Sequence, residues 1–228
     1  MAHAHAAAMR PPAQAEPGAG VYTEKLGMWV FLGSEVMFFT ALIGSYIILR
    51  FAHPVAWATP GQILNVPVTA VNTFLLICSS VTMVKAFAAI QEGDQKMLRF
   101  WLTATVIIGA TFVSVQVFEY LQLAREGFLP SGYVPGSHLA ESAETGAAYE
   151  GGAPLPHSVG LYGSTFYTMT GFHGFHVTMG VVCMTFVTVK AFRGGYTVQD
   201  HRGVEVIGLY WHFVDLVWII LFTIVYLI

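Results

Sequence analysis

Residues 203–228 read GVEVIGLYWHFVDLVWIILFTIVYLI and decide the class of fold. The stretch is about 26 residues long and almost wholly apolar, and a helix needs about 20 such residues to cross a bilayer. Its middle nevertheless carries Trp211, His212 and Asp215. A carboxyl at the bilayer centre costs about 2.5–3.5 kcal/mol, so Asp215 must face protein, water or a partner molecule. Two hypotheses stay open: a structural hydrogen bond between helices, or a proton, ion or cofactor site.

The composition extends this interpretation to the whole chain. Of 228 residues, 55% are hydrophobic and only 10% are charged, and mean hydropathy is +0.63. Soluble domains carry about 25% charged residues, so we predict an integral membrane protein. The basic residues are scattered, which argues against a nucleic-acid partner. Cys78 and Cys183 lie inside apolar runs, and we expect both to be buried and unpaired.

Five apolar segments are long enough to span a bilayer. They cover about 25–50, 66–90, 98–124, 159–190 and 203–228. Only helices and closed barrels satisfy their backbone polar groups in lipid, and runs of this length are helical. The sequence therefore predicts an all-α, polytopic membrane bundle of five transmembrane helices, forming one domain over 24–228.

The basic residues also predict the orientation, because they favour the cytoplasmic side. With a cytoplasmic N-terminus, only Arg50 and Arg125 lie outside. The other eight lie inside: Arg10, Lys25, Lys85, Lys96, Arg99, Lys190, Arg193 and Arg202. We thus predict an N-in, C-out topology, with a disordered cytoplasmic arm over 1–23 and an outer loop at about 125–158. The loop is expected to be irregular and to cover part of the protein.

The first two helices carry polar groups at membrane depth. Glu35 lies about 15 Å along its helix from Lys25 and has no partner nearby in sequence. It is either an acid that desolvation keeps neutral or a proton-handling or lipid-headgroup site. In the second helix, the pairs Asn72–Thr73 and Ser79–Ser80 are seven residues apart, which predicts a polar seam between packed helices.

The third and fourth helices add further polar positions. Gln116 and Glu119 share a face near the outer surface, where a plain hydrogen bond or ion pair is expected. His173 and His176 lie near mid-membrane, and we expect hydrogen-bonded core histidines in preference to a metal or haem site. Four small residues of the fourth helix predict a close-packing seam: Ser164, Thr168, Gly171 and Thr178.

Depth relates these groups to one another. Glu35 and His212 lie at similar depths, and His176 and Asp215 lie somewhat deeper. If the first, fourth and fifth helices touch, the four groups form one buried network.

Several motifs together resemble one known family. They are LGSEVMFF (32–39), NTFLLICSSVTM (72–83), FEY (118–120), GSTFYTMTGFHGFHVTMG (163–180) and YWHFVDLVWIILF (210–222). In order and spacing they are similar to subunit III of haem–copper oxidases, most of all subunit III of cytochrome c oxidase. The resemblance covers about 24–228. Subunit III of quinol oxidases and a small protein of nitric oxide reductase operons belong to the same family.

The resemblance implies a non-catalytic subunit of a proton-pumping respiratory oxidase in the bacterial inner membrane. Haem and copper then belong to partner subunits, and this chain packs beside subunit I, with subunit II in the same complex. It is expected to protect subunit I during turnover, to support proton uptake and to hold phospholipid in a cleft.

The resemblance also assigns candidate residues. Glu35 matches the family's carbodiimide-reactive carboxylate. Six further residues match its intramembrane polar positions: His173, His176, Glu205, Trp211, His212 and Asp215. The long form of the family has seven helices and this chain has five, so one arm of the lipid cleft is missing or comes from another subunit. The loop at 125–158 is also longer than in short forms.

Two functions of other classes remain as alternatives. A haem-carrying membrane cytochrome would show an optical spectrum in the isolated chain. A small transporter would favour internal repeats or broken helices, and the sequence shows neither. The electron donor, cytochrome c or quinol, stays open because its site lies on other subunits.

Overall fold

A computed structural model describes residues 22–54, 57–58, 63–146, 155–156 and 159–228. The predicted arm therefore lies outside the described residues up to position 21. The helices are α1 (Thr23–Ala52), α2 (Val66–Gln91), α3 (Gln95–Glu126), α4 (His138–Thr145), α5 (Gly160–Phe192) and α6 (Arg202–Phe222). A short π-helical segment, Thr223–Leu227, continues α6.

Five of these helices are long and apolar enough to cross a membrane, which confirms the predicted all-α bundle. The ends of the helices follow from local sequence. Asn65 caps α2 by accepting a hydrogen bond from the Val68 amide at 3.3 Å. Asp94 caps α3 by accepting hydrogen bonds from the Lys96 and Met97 amides. The helix therefore begins at Gln95, three residues before its predicted start at about 98. Gly127 ends α3 with a φ of 90°, a conformation that favours glycine.

The helices form a closed ring with one helix outside it. α2 packs on α3, α3 on α5, α5 on α6, and α6 returns to α2. α1 lies outside this ring, against α5 and α6. Accordingly, 56% of the most apolar stretch of α6 is buried, against 6% of the corresponding stretch of α1. α5 and α6 thus each pack on three other helices, and α6 is the more deeply buried of the two.

The predicted irregular loop at 125–158 is wrong in its described part. Strands β1 (Phe128–Leu129) and β2 (Gly132–Tyr133) form a small antiparallel hairpin, and α4 follows. Phe128 of β1 and Leu139 of α4 are fully buried. Burial of these apolar side chains stabilises the hairpin and α4. The loop does cover something, namely the C-terminal end of α3 and the N-terminal end of α5.

Two smaller predictions are wrong in part. Cys183 is exposed, while Cys78 is half-buried, and both are free thiols. The predicted small-residue seam on α5 does not pack as expected, since Thr168 and Thr178 are exposed. Close approach occurs instead at Gly174, where an added Cβ would lie 2.8 Å from Gln116, and at Gly180, where it would lie 3.0 Å from Trp211.

Candidate functional site

Nε2 of His176 on α5 lies 3.1 Å from a carboxyl oxygen of Glu35 on α1. The other ring nitrogen, Nδ1, lies 2.7 Å from the Phe172 carbonyl of its own helix. Both side chains are mostly buried, at 16% and 13% exposure. Glu35 has no partner nearby in sequence, as expected, but in the folded chain His176 of α5 is its partner.

This pair forms part of the wall of an open groove between α1, α5 and α6. The groove encloses about 430 Å³. Its remaining lining is almost wholly apolar: Met28, Phe31, Phe175, Met179, Cys183, Ile207 and Tyr210. The Tyr210 hydroxyl bonds the His176 carbonyl at 2.8 Å, which ties α6 to the same site. A hydrocarbon chain fits such a lining, and the Glu35–His176 pair supplies its polar group.

His173 lies one turn from His176, but its surroundings are different. It is fully buried, and neither ring nitrogen has a hydrogen-bond partner among the described residues. Its ring stacks on Trp218 at 4.7 Å between centroids and meets Phe39 and Phe112 edge-on. The expectation of a hydrogen-bonded core histidine is therefore wrong for His173 and right for His176.

The polar seam predicted on α2 packs against α6. The indole N–H of Trp211 donates to Ser79 and that of Trp218 donates to Thr73, both at 2.9 Å. Ser80 lies 2.6 Å from Nδ1 of His212. α2 and α6 are thus joined at Thr73 and, about two turns further along α2, at Ser79 and Ser80. Asn72 instead donates to the Phe112 carbonyl of α3 at 3.3 Å. The predicted polar seam between packed helices is confirmed.

Asp215 is buried beside this seam, with 4% exposure. Neither carboxyl oxygen has a hydrogen-bond partner among the described residues, although Ser80 is close by. The expected four-group network is therefore wrong: Glu35 and His176 form one unit across α1 and α5, and His212 bonds Ser80 on α2 in another.

Glu205 holds α1 and α6 together near their N-terminal ends. Its carboxylate accepts hydrogen bonds from Nζ of Lys25 at 2.5 Å and from the Tyr22 hydroxyl at 2.6 Å. Burial, followed by this bond to the carboxylate, raises the pKa of the Tyr22 phenol well above its usual range. Spacing along the chain could not reveal the contact, since its partners lie about 180 residues apart.

Glu119, at the opposite end of the bundle, accepts bonds from Thr69 at 3.0 Å and Tyr226 at 3.2 Å. The expected plain hydrogen bond is confirmed. Tyr226 and Thr69 were not singled out in the sequence because nothing in their local pattern marks them. No cluster of three His, Cys, Asp or Glu side chains suited to a metal ion occurs among the residues that the structure describes.

The family model for cytochrome c oxidase subunit III matches residues 19–138 and 145–228. The chain belongs to the cytochrome c oxidase subunit III family. It is a subunit III of the haem–copper oxidases and a multi-pass membrane protein. The unmatched residues 139–144 lie within α4.

Two relatives agree with this assignment. Cytochrome c oxidase subunit 3 of Thermostichus vulcanus is 36% identical over 203 residues, which is 89% of this chain and 86% of the relative. A probable quinol oxidase subunit 3 of Staphylococcus aureus is 28% identical over 204 residues, covering 90% and 88%. The similarity therefore spans nearly the full length of each protein.

Proposed function

We propose that this chain is the non-redox subunit III of a proton-pumping cytochrome c oxidase in a bacterial inner membrane, with an N-in, C-out topology. Subunit I is its main partner, subunit II belongs to the same complex, and these partners hold the haem and copper. The observation that carries the proposal is the Glu35–His176 pair on the wall of an open apolar groove. Bound phospholipid would fill this groove with an acyl chain.

The histidine contacts support a role without a redox centre in this chain. Both nitrogens of His176 have partners, and His212 is engaged with Ser80. His173 lies between aromatic rings. These side chains are held by three different sets of neighbours, so they do not converge on one ligand. They contribute to helix packing and to proton handling.

The Glu35–His176 pair suits the support of proton uptake. A carboxyl and an imidazole at 3.1 Å can share one proton, and the ring is held in place by the Phe172 carbonyl. Such a pair can take up a proton and return it without a large change in geometry. Its position on the groove wall gives lipid contact on one side and the bundle on the other.

Glu35→Ala in the assembled oxidase tests this role. We expect normal assembly and a normal haem spectrum, with weaker proton pumping, slower proton uptake or a shorter turnover life. Oxygen consumption and proton release are followed over time in vesicles. Glu24→Ala is the matched control, because Glu24 is an exposed α1 acid whose salt-bridge contact among the described residues is a 3.8 Å approach to Arg202.

Two outcomes would contradict the proposal. Immediate loss of oxygen reduction in an intact complex would make Glu35 part of the reaction centre. Pumping and turnover life equal to those of Glu24→Ala would reduce the pair to a structural contact. A hydrophobic carbodiimide should also label Glu35 before the other acids, since Glu35 borders the apolar groove.

A quinol oxidase is the second candidate, supported by the Staphylococcus aureus relative. The companion chains of the native complex separate the two, because the donor site is expected on them. The haem-carrying cytochrome is tested by the spectrum of the separated chain, which we expect to be colourless. A haem band lost in His173→Ala or His212→Ala would overturn that expectation.

A further inference from the structure

One face of α3 combines a basic and an apolar part near the N-terminal end of the helix. It is separate from the groove that Glu35 borders, which α1, α5 and α6 form. Lys96 and Phe100 are four residues apart and Ile107 follows two turns later, so the three share this face. Lys96 is exposed, and Phe100 and Ile107 are 59% and 60% exposed. A cation near the end of the helix is therefore followed, toward the middle of the span, by an apolar stripe.

Arg99 lies beside this stripe, at the contact of α3 with α5. Its Nε donates a hydrogen bond to the Ala191 carbonyl at 3.1 Å, and its guanidinium carbon lies 5.8 Å from the centroid of the Phe192 ring. The two terminal nitrogens are not buried and have no hydrogen-bond partner in the part of the chain that the structure describes. A guanidinium fixed in this way offers a rigid pair of N–H donors, which matches two oxygens of a phosphate group.

Lys85 lies on the other side of the stripe. It is exposed on α2, and its Nζ lies 4.5 Å from the centroid of the Trp101 ring of α3. Trp101 in turn meets Phe100 edge-on, at 4.9 Å between centroids. Three cations, Lys85, Lys96 and Arg99, thus surround the start of the stripe, and none of them has a salt bridge to a described residue.

The acids nearest in sequence do not cancel this charge. Glu92 ends α2 and Asp94 caps α3, so both lie at the tip of the connecting turn. One oxygen of Asp94 already accepts bonds from the first amides of α3. Arg99 is five residues further along α3, about 7.5 Å by helical rise, and Lys85 is seven residues before Glu92, about 10 Å. Arg99 and Lys85 therefore lie closer to the apolar span than the two acids do.

We propose that this face of α3 binds one anionic phospholipid. Its phosphate oxygens lie on Arg99 and Lys96, and an acyl chain lies along Phe100 and Ile107. Charge complementarity supports a lipid with a net negative charge, since a zwitterionic headgroup would bring a cation of its own toward three others. The apolar stripe next to the cations supports a lipid over free phosphate, because free phosphate has no apolar part to cover it.

This inference does not rest on the proposed function, because it concerns a different face, different residues and a different lipid from the one in the Glu35 groove. In the proposed N-in topology, this end of α3 faces the cytoplasm. Basic residues between transmembrane helices on that side bind anionic headgroups in other membrane proteins.

A photoactivatable phosphatidylglycerol tests the site in the complete oxidase. The oxidase is reconstituted in phosphatidylcholine vesicles with a fraction of this probe below saturation, and the cross-linked peptides are identified by mass spectrometry. We expect labelling of the α3 peptide that contains Phe100. Arg99→Gln should lower this labelling about fivefold, the factor that corresponds to about 1 kcal/mol for one basic side chain near an anionic surface. Lys96→Gln should have a similar effect and, because Lys96 is exposed, it serves as the test if Arg99→Gln disturbs the contact with α5.

Arg202→Gln is the matched control, since Arg202 is an exposed arginine at the start of α6, at the same end of the bundle. It should leave labelling of the α3 peptide unchanged. A phosphatidylcholine probe with the same photoreactive chain should label this peptide weakly, and equally in wild type and Arg99→Gln.

Three outcomes would overturn the proposal. The first is equal labelling of the α3 peptide by the two probes, or no labelling of it in the complete oxidase. The second is unchanged labelling by the phosphatidylglycerol probe in both Arg99→Gln and Lys96→Gln. The third is loss of labelling when inorganic phosphate replaces chloride at constant ionic strength, which would assign the site to free phosphate.

Discussion

His173 occupies the interior of the bundle without a hydrogen-bond partner among the described residues. A buried polar group left unsatisfied costs about 1–3 kcal/mol. We therefore predict that His173→Phe, which keeps a ring against Trp218, raises the free energy of unfolding by about 1 kcal/mol. His173→Ala should lower it by leaving a cavity. Thermal unfolding of the purified chain in detergent measures both, and a clear loss of stability in His173→Phe would show that the imidazole makes an essential contact.

Tyr22 offers a prediction with a pH dependence. Its pKa is raised in the folded chain, so its stabilising contribution is fully present below the unfolded value of about 10 and declines as pH rises above it. Tyr22→Phe should cost about 0.5–1 kcal/mol at neutral pH, as expected for a partly exposed hydrogen bond. The difference in free energy of unfolding between wild type and Tyr22→Phe should become smaller in alkaline buffer. A difference that grows with pH would contradict the assigned bond to Glu205.

Among elements, α6 depends on how closely Trp211 fits between α3 and α5. An added Cβ at Gly109 would lie 2.6 Å from the Trp211 ring and 2.9 Å from Val181. Gly109→Ala should therefore destabilise the bundle by about 3 kcal/mol, the upper range for overpacking. Gly44→Ala is the control: none of the residues that the structure describes lies within 4 Å of an added Cβ, so this substitution should be neutral or stabilise α1 by up to about 1 kcal/mol. Similar unfolding temperatures for the two variants would refute this packing.

The sequence predicted the α2 seam but not the close contacts of α5. Spacing by seven places Asn72, Thr73, Ser79 and Ser80 on one stripe, and two indoles need partners, so the local pattern was sufficient. On α5, polar or small residues occur on several faces, and their pattern does not show which face meets a neighbour. The Glu35–His176 contact was hidden for the same reason: it depends on how α1 is rotated against α5.

For the whole molecule, hydropathy and helix length predicted the number of spans, because lipid imposes the same requirement on each. The order of packing could not be predicted, since every span is apolar on most faces. The hairpin was missed because its buried Phe128 packs against Tyr162 and Phe166 of α5, more than 30 residues further along the chain.

Topology gives a prediction at this scale. With Cys78 and Cys183 replaced, Thr145→Cys should react with an impermeant thiol reagent added from the periplasmic side. Asp200→Cys, in the connection between α5 and α6, should react only from the cytoplasmic side. Both parent residues are exposed. Reaction of the two cysteines from the same side, or with the sides exchanged, would refute the N-in, C-out model.

The position of α1 outside the ring has a consequence for the order of events during synthesis. α1 emerges first, but the surfaces on which it packs belong to α5 and α6, which emerge last. Lys25 must wait for Glu205, and Glu35 must wait for His176. Until α5 and α6 have been made, α1 therefore lacks both of the helices on which it packs, while α2 and α3 can already join. A ribosome that stalls before α5 would leave a chain whose first helix lacks both of these contacts.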